Sequence, residues 1–155
     1  MTSDRLELSV QNVVQDTTAP PKAFIERCVR RALAGIQGEL VVRIVGEAES
    51  ASLNERYRGK QGPTNVLAFP AGDTMAPVPE PRPLGDIVIC GPIVAREADE
   101  QKKPLQEHWA HIVIHACLHL CGYDHELESE AERMESRERA LLSEFGIPDP
   151  YRGEA

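Results

Sequence analysis

The segment from His115 to His125 constrains the fold more than any other part of the chain, because it places three histidines around a glycine. His115 and His119 are four residues apart, so on a helix of about 3.6 residues per turn their side chains lie on the same face. Gly122 follows almost at once and permits the left-handed conformation that ends a helix. His125 comes just after this turn and could return to the same point as the other two imidazoles. The spacing therefore predicts a helix that ends at a metal-binding turn.

Three protein ligands with a fourth position open are typical of a catalytic zinc ion rather than a structural one. We predict His115, His119 and His125 as those ligands. His111 lies one turn earlier on the same face, but it is about 12 Å from His119 along an axis that rises ~1.5 Å per residue. A zinc–nitrogen bond is only ~2.1 Å long, so His125 is the better third ligand. His111 and His108 are expected to be hydrogen-bond partners of the ligands, surface groups or substrate contacts.

A similar histidine spacing occurs in zinc proteases whose third histidine follows a glycine turn. Those proteases need a glutamate directly after the first histidine as the general base. Here that position is Ala116, which cannot accept a proton. Peptide hydrolysis by that route is disfavoured, and the predicted chemistry depends on a metal-activated water with some other helper.

Three blocks of this sequence are together similar to one known family. They are His115-x-x-Leu118-His119-Leu120-x-Gly122-Tyr123-Asp124-His125, Tyr57-Arg58-Gly59-Lys60 with Pro63-Thr64-Asn65-Val66-Leu67-Ala68-Phe69-Pro70, and Leu84-Gly85-Asp86-Ile87. The chain resembles the YbeY-type endoribonucleases, bacterial rRNA maturation factors, over nearly its whole length. It departs from the family pattern at Ala116, Ala68 and Asn65, where the family usually has Gly, Ser and, in many members, Asp. None of these is a predicted ligand, but Asn65 and Ala68 are expected to alter the lining of the cleft.

The resemblance implies a metal-dependent, single-strand-specific endoribonuclease that matures the 3′ end of 16S ribosomal RNA and takes part in ribosome quality control. Its expected partners are single-stranded RNA and the ribosome or ribosomal proteins. Arg58 would clamp a phosphate and stabilise the charge of the transition state, a role that suits the donor fork of a guanidinium. Lys60 would bind substrate beside it. The expected cofactor is one divalent ion, Zn²⁺ by ligand type, with nickel, copper and iron still open.

Two alternative functions stay open at this point. One is a non-catalytic ribosome-assembly factor in which the metal only braces the turn at the end of the helix. The other is a metallohydrolase that acts on a different ester or amide.

The formal net charge of −8 argues against a general nucleic-acid binder, which usually has a basic face. Much of the negative charge lies between Glu126 and Glu144, whose glutamates are expected to form a solvated face. Arg56, Arg58 and Lys60 form a local positive cluster, and a divalent cation would add positive charge in the cleft. The weak binding of a short stretch of RNA, which the family resemblance implies, is therefore compatible with the net charge.

Length and composition predict a single domain that spans residues 1–155. No apolar run approaches the ~18 residues of a membrane span, and no leader is recognised, so a cytoplasmic location is expected. The four cysteines contain no Cys-x-x-Cys pair, which disfavours a disulfide framework or a cysteine zinc site. Cys117 and Cys121 are expected to face away from the metal, into the core.

Hydrophobic periodicity predicts an α/β (α+β) fold in which a small mixed sheet of three to four strands packs with helices around a central metal-bearing helix. The predicted strands are at Leu6–Val10, Glu39–Val45, Asn65–Phe69 and Leu84–Cys90. The predicted helices are at Phe24–Leu33, Glu47–Arg56, Ile93–Gln101, from Pro104 onward, and Glu126–Phe145. Arg58–Gly62 is predicted as a basic loop, and Gly72–Pro83 as a proline-rich loop.

Overall fold

A four-stranded mixed sheet and five helices account for the residues that the computed structural model describes, which are 6–71, 82–121 and 128–151. The strands are β1 (Leu6–Asn12), β2 (Gly38–Val45), β3 (Val66–Pro70) and β4 (Pro83–Cys90). The helices are α1 (Lys22–Ala32), α2 (Glu47–Arg58), α3 (Gly91–Gln101), α4 (Leu105–Leu120) and α5 (Glu128–Glu144). The predicted fold class and the predicted mixed sheet are confirmed. None of the described helices is long and apolar enough to cross a lipid bilayer.

The sheet has the order β1-β2-β4-β3. β1 pairs with β2 and β2 with β4 in parallel, whereas β3 pairs with β4 antiparallel. The central strands are the most apolar, as expected for parallel strands covered by helices. Leu40, Val42 and Ile44 of β2 are buried, and so is every residue of β4 from Ile87 to Cys90.

Helix α4 is the central helix, and it packs against α1, α3, α5, β3 and β4. It starts directly after Pro104, a position at which the missing amide hydrogen of proline costs nothing. Its buried residues are mostly apolar and belong to the main hydrophobic core: Trp109, Ala110, Ile112, Val113, Ile114, Ala116, Cys117 and Leu118. A helix held on several sides in this way gives its remaining side chains fixed positions, which a catalytic constellation requires.

Two local predictions are wrong. Arg58 is the last residue of α2 rather than the start of a loop, because the helix continues to Gly59, which caps it in the left-handed conformation (φ 68°). Cys121 is exposed rather than buried, because it lies one residue past the end of α4. Cys117 is buried, as predicted. The predicted turn at Gly122 and the predicted ligand His125 lie outside the described residues.

Candidate active site

A cleft of about 650 Å³ lies between α4 on one side and the segment from α2 to β3 on the other. It brings together Arg58, His115 and His119, three residues that the sequence predicted to share a site. The complete lining is Tyr57, Arg58, Thr64, Asn65, Val66, Leu67, Ala68, Phe69, His111, Ile112, His115, Ala116, His119 and Tyr151. Lys60 is exposed and does not contribute to this lining, so its role in substrate binding stays a prediction.

The histidine wall of the cleft is a single face of α4. His111, His115 and His119 follow one another at intervals of one turn, and all three line the cleft. The His111 and His115 rings meet edge to face, with their centroids 6.0 Å apart. The opposite face of the same helix, which includes Trp109 and Val113, is buried in the core. The helical spacing therefore fixes which side chains face the cleft.

Behind this wall lies Glu138 of α5, whose side chain is fully buried. Nδ1 of His115 donates a hydrogen bond to one carboxylate oxygen, and the hydroxyl of Tyr151 donates one to the other. Nε2 of His111 lies 3.4 Å from the same oxygen that Tyr151 contacts, and 3.3 Å from the Tyr151 hydroxyl. Burial alone would raise the pKa of Glu138, but the hydrogen bonds from His111, His115 and Tyr151 outweigh it and lower that pKa to about 2.

His111, His115 and Glu138 form a group that could hold a metal ion, because one ligand atom from each lies within 4.8 Å of the others. His111 thus enters a possible metal group although its helical spacing from His119 disfavoured it. The contact between Glu138 and His115 also fits a second arrangement. With the proton of His115 on Nδ1, the lone pair that can bind a metal is on Nε2. Histidine ligands of metals commonly donate their other N–H group to a carboxylate in this manner.

Sequence reasoning missed Glu138, because the glutamates of α5 were expected to be solvated. A usable signal was present. Met134, Glu138 and Leu141 follow the spacing of one helical face, and all three are buried. A glutamate inside an apolar stripe needs a buried partner, and the histidine face of α4 supplies it.

The other wall of the cleft is held by buried polar side chains of α2. The hydroxyl of Ser50 donates to the carbonyl oxygen of Thr64 (2.8 Å) and accepts from its amide (2.9 Å). Nδ2 of Asn54 donates to the carbonyl oxygen of Gly62 (2.8 Å). These bonds fix the connection between Arg58 and β3.

Comparison with known proteins places this arrangement in a family. The family model described as Endoribonuclease YbeY matches residues 6–146, which include α2, β3, β4 and α4. The chain belongs to the endoribonuclease YbeY family. The resemblance inferred from the three sequence blocks is therefore confirmed.

Curated YbeY relatives match almost end to end. Endoribonuclease YbeY of Alkalilimnicola ehrlichii is 52% identical, over 95% of this chain and 92% of the relative. The proteins of the same name from Halorhodospira halophila and Methylococcus capsulatus are 48% and 49% identical, and each match covers at least 94% of this chain and 96% of the relative. The solution structure of TM1509 from Thermotoga maritima shares the fold, with a TM-score of 0.53 at 24% identity, over 94% of this chain and 99% of that one.

The cleft of this YbeY family member differs in charge from the chain as a whole. The chain has 25 aspartates and glutamates against 17 lysines and arginines. The described residues that line the cleft include Arg58 and three histidines but no carboxylate. Glu138 lies directly behind the lining, where hydrogen bonds from His115 and Tyr151 hold its carboxylate. The cleft is thus compatible with an anionic ligand despite the net charge of −8.

Proposed function

We propose that this chain is a metal-dependent endoribonuclease that cleaves single-stranded RNA and acts in the maturation of ribosomal RNA. The observation that carries the proposal is the shared cleft, in which Arg58 of α2 faces the histidines of α4 in a member of the YbeY family. The relatives named Endoribonuclease YbeY match almost the full chain, so all the elements that build this cleft are included in the match.

The proposed ligands of the metal are His115, His119 and His125, and the proposed metal is zinc. The buried carboxylate of Glu138 supports this choice, because it fixes the ring of His115 and the nitrogen that carries its proton. Imidazole ligands suit zinc, and three of them leave one position open. A divalent ion held there would polarise a phosphoryl oxygen and lower the pKa of a water molecule.

Arg58 is the proposed catalytic residue of the chain itself. Its position at the last turn of α2, directly before the Gly59 cap, fixes its backbone at the edge of the cleft. A guanidinium there can donate two parallel hydrogen bonds to a phosphate and stabilise the negative charge that develops during cleavage. Lys60, which is exposed two residues further on, is proposed to contact RNA outside the cleft.

The proposal is tested by incubating zinc-loaded protein with an end-labelled single-stranded RNA and with the same RNA in a duplex. We expect cleavage of the single strand only. Arg58→Ala should retain stoichiometric zinc and lose cleavage by about 100-fold or more, the loss typical when a donor to the transition state is removed. Arg30→Ala is the control, because Arg30 lies on α1, is exposed and does not line the cleft. It should cleave at the wild-type rate.

His119→Ala tests the metal site in the same assay. We expect this variant to lose both its bound zinc and its cleavage activity. The zinc content is measured after dialysis by inductively coupled plasma mass spectrometry. Stoichiometric zinc in His119→Ala would refute the ligand assignment. Equal cleavage by wild-type and Arg58→Ala protein would remove Arg58 from the mechanism. No cleavage of any RNA by the zinc-loaded wild type would refute the proposed activity.

The proposed role in ribosome maturation is tested with precursor small ribosomal subunits as the substrate. We expect the wild-type protein to trim the 3′ end of the precursor RNA and Arg58→Ala to leave it intact. Trimming by both proteins would point to a contaminating nuclease and refute this part of the proposal.

A further inference from the structure

Asn65 occupies a fixed position in the wall of the cleft opposite α4. It lies directly before β3, and its backbone carbonyl oxygen accepts a hydrogen bond from the amide of Cys90 (2.8 Å), which ties it to the end of β4. The residue lines the cleft and is half-buried. Nδ2 of its side chain donates to both carboxylate oxygens of Glu97, at 3.1 and 3.3 Å.

Glu97 connects this wall to the central helix. It belongs to α3, does not line the cleft, and its Oε1 lies 2.9 Å from Nε2 of His108 on α4. The His108 side chain is nearly buried, with 4% exposed, and burial lowers its pKa despite the nearby Glu97. Because a carboxylate can only accept, Nε2 of His108 donates the hydrogen bond in this contact.

The carboxylate of Glu97 determines whether the NH₂ group or the oxygen of the Asn65 side chain faces it. A carboxylate accepts hydrogen bonds and cannot donate one, so Glu97 faces the NH₂ group of Asn65 and not its oxygen. Oδ1 of Asn65 is thereby directed away from Glu97. Among the residues that the structure describes, none donates a hydrogen bond to this oxygen. An acceptor held in a fixed orientation in the cleft wall suits a donor on a bound ligand.

We infer that Asn65 is a substrate-binding residue that accepts a hydrogen bond from the bound nucleotide through Oδ1, and that Glu97 is a positioning residue that fixes its orientation. The inference rests on the proposed function, because it takes single-stranded RNA as the ligand. The recognised chemistry is a hydrogen-bond donor, which in RNA is either the ribose 2′-hydroxyl or an N–H group of a base. Asn65 then selects among nucleic acids, whereas Arg58 contacts the phosphate common to all of them.

Binding of matched RNA and DNA oligonucleotides distinguishes these two donors. Fluorescence anisotropy is measured with the full chain in a chelator, so that no cleavage occurs. Asn65→Ala should weaken RNA binding about three- to tenfold, the loss expected for one neutral hydrogen bond. If the donor is the 2′-hydroxyl, DNA binding stays unchanged, and if it is a base N–H, both affinities fall equally. Gln61→Ala, which removes an exposed amide outside the cleft, should bind as the wild type does.

A residue exchange tests the positioning role of Glu97. In Glu97→Gln, the new carbonyl oxygen remains on the N–H of His108, so the new NH₂ group faces Asn65. Asn65 must then turn its oxygen toward residue 97, and we expect RNA binding to fall as much as in Asn65→Ala. In the double variant Glu97→Gln with Asn65→Asp, the new NH₂ group of residue 97 donates to one carboxylate oxygen of residue 65, and the other oxygen of residue 65 takes the place of Oδ1. The double variant should bind RNA more tightly than Asn65→Asp alone, which opposes two carboxylates. It should still bind RNA more weakly than the wild type, because the added carboxylate lies in the lining and repels phosphate.

Three results would overturn the inference: wild-type affinity of Asn65→Ala for both nucleic acids, a double variant that binds RNA no more tightly than Asn65→Asp alone, or no binding of RNA by the wild type. The zinc-loaded cleavage assay separates this failure from that of the proposed function. If the wild type does not cleave RNA but Asn65→Ala weakens RNA binding as expected, the proposed nuclease activity is refuted and the inference about Asn65 stands. If the wild type cleaves RNA but Asn65→Ala binds RNA as tightly as the wild type, the proposed activity stands and the inference about Asn65 is refuted.

Discussion

Replacing Glu138 by glutamine removes one buried charge from behind the histidine wall and keeps the size of the side chain. The pKa of Glu138 is about 2 in the folded protein, against an ordinary value of 4.5, because the hydrogen bonds from His111, His115 and Tyr151 outweigh the cost of burial. One pKa unit corresponds to ~1.4 kcal/mol, so the ionised carboxylate stabilises the fold by roughly 3 kcal/mol at neutral pH. We expect the free energy of unfolding of Glu138→Gln to be lower than that of the wild type by about this amount.

The stabilisation that Glu138 provides depends on pH in one direction and is lost in acid. Because the pKa of Glu138 is lower in the folded state, the unfolded chain binds a proton more readily as the pH falls. The stabilisation is fully present above about pH 4.5 and is lost as the pH falls from about 4.5 toward about 2. Glutamine does not titrate, so the difference in stability between wild type and Glu138→Gln should narrow over this range.

The assay is unfolding by guanidinium chloride in a chelator, at pH 7 and at a series of pH values below 5. Glu144→Gln is the matched control, because Glu144 is on the same helix but forms an exposed ion pair with Arg31 (2.7 Å). That pair is worth less than ~1 kcal/mol. Zinc affinity should also fall about 10- to 100-fold in Glu138→Gln and stay unchanged in Glu144→Gln. A loss of stability below 1 kcal/mol in Glu138→Gln at pH 7 would refute this account of the buried carboxylate.

Two further predictions concern the end of α2 and the cysteines. Gly59→Ala should reduce the free energy of unfolding by about 1 kcal/mol, because the positive φ of 68° disfavours alanine although no heavy atom lies within 4 Å of the added methyl group. Chemical denaturation measures this, and an unchanged midpoint would contradict it. Iodoacetamide at neutral pH should alkylate only Cys121 in the native protein, because the other three thiols are buried and burial raises the pKa of Cys28 to about 12. Intact mass measures this, and a second adduct before unfolding would contradict it.

The histidine face of α4 could be predicted from the sequence because it depends on local geometry alone. A spacing of four residues determines a shared face on any regular helix, and the apolar residues between the histidines determine which face is buried. The four strands and the helices other than α2 were predicted for the same reason, since their apolar periods are regular. The end of α2 was not predicted, because its buried residues, Ser50 and Asn54, are polar and break the apolar pattern.

The residues that support the cleft could not be predicted in this way, because their partners are distant in sequence. Glu97 is 32 residues from Asn65 and 11 from His108, and Glu138 is 23 from His115. Each of these carboxylates is on a helix rich in other acidic residues, so the local sequence predicts that its side chain is exposed to solvent. Only the packing of α3 and α5 against α4 brings a glutamate of each helix against a histidine.

The contacts of Glu97 with His108 and of Glu138 with His115 show how a chain with a negative net charge can have a cleft that suits an anionic ligand. Glu97 and Glu138 each accept a hydrogen bond from an imidazole of α4, and neither lines the cleft. Their carboxylates therefore hold side chains of the cleft in position, while the described residues of the lining include Arg58 and three histidines but no carboxylate. A carboxylate moved into the lining would repel phosphate directly, whereas one held behind it acts through the groups that it positions. Two of the acidic residues thus hold side chains in position instead of lining the cleft, which is why net charge alone is a poor guide to the ligand.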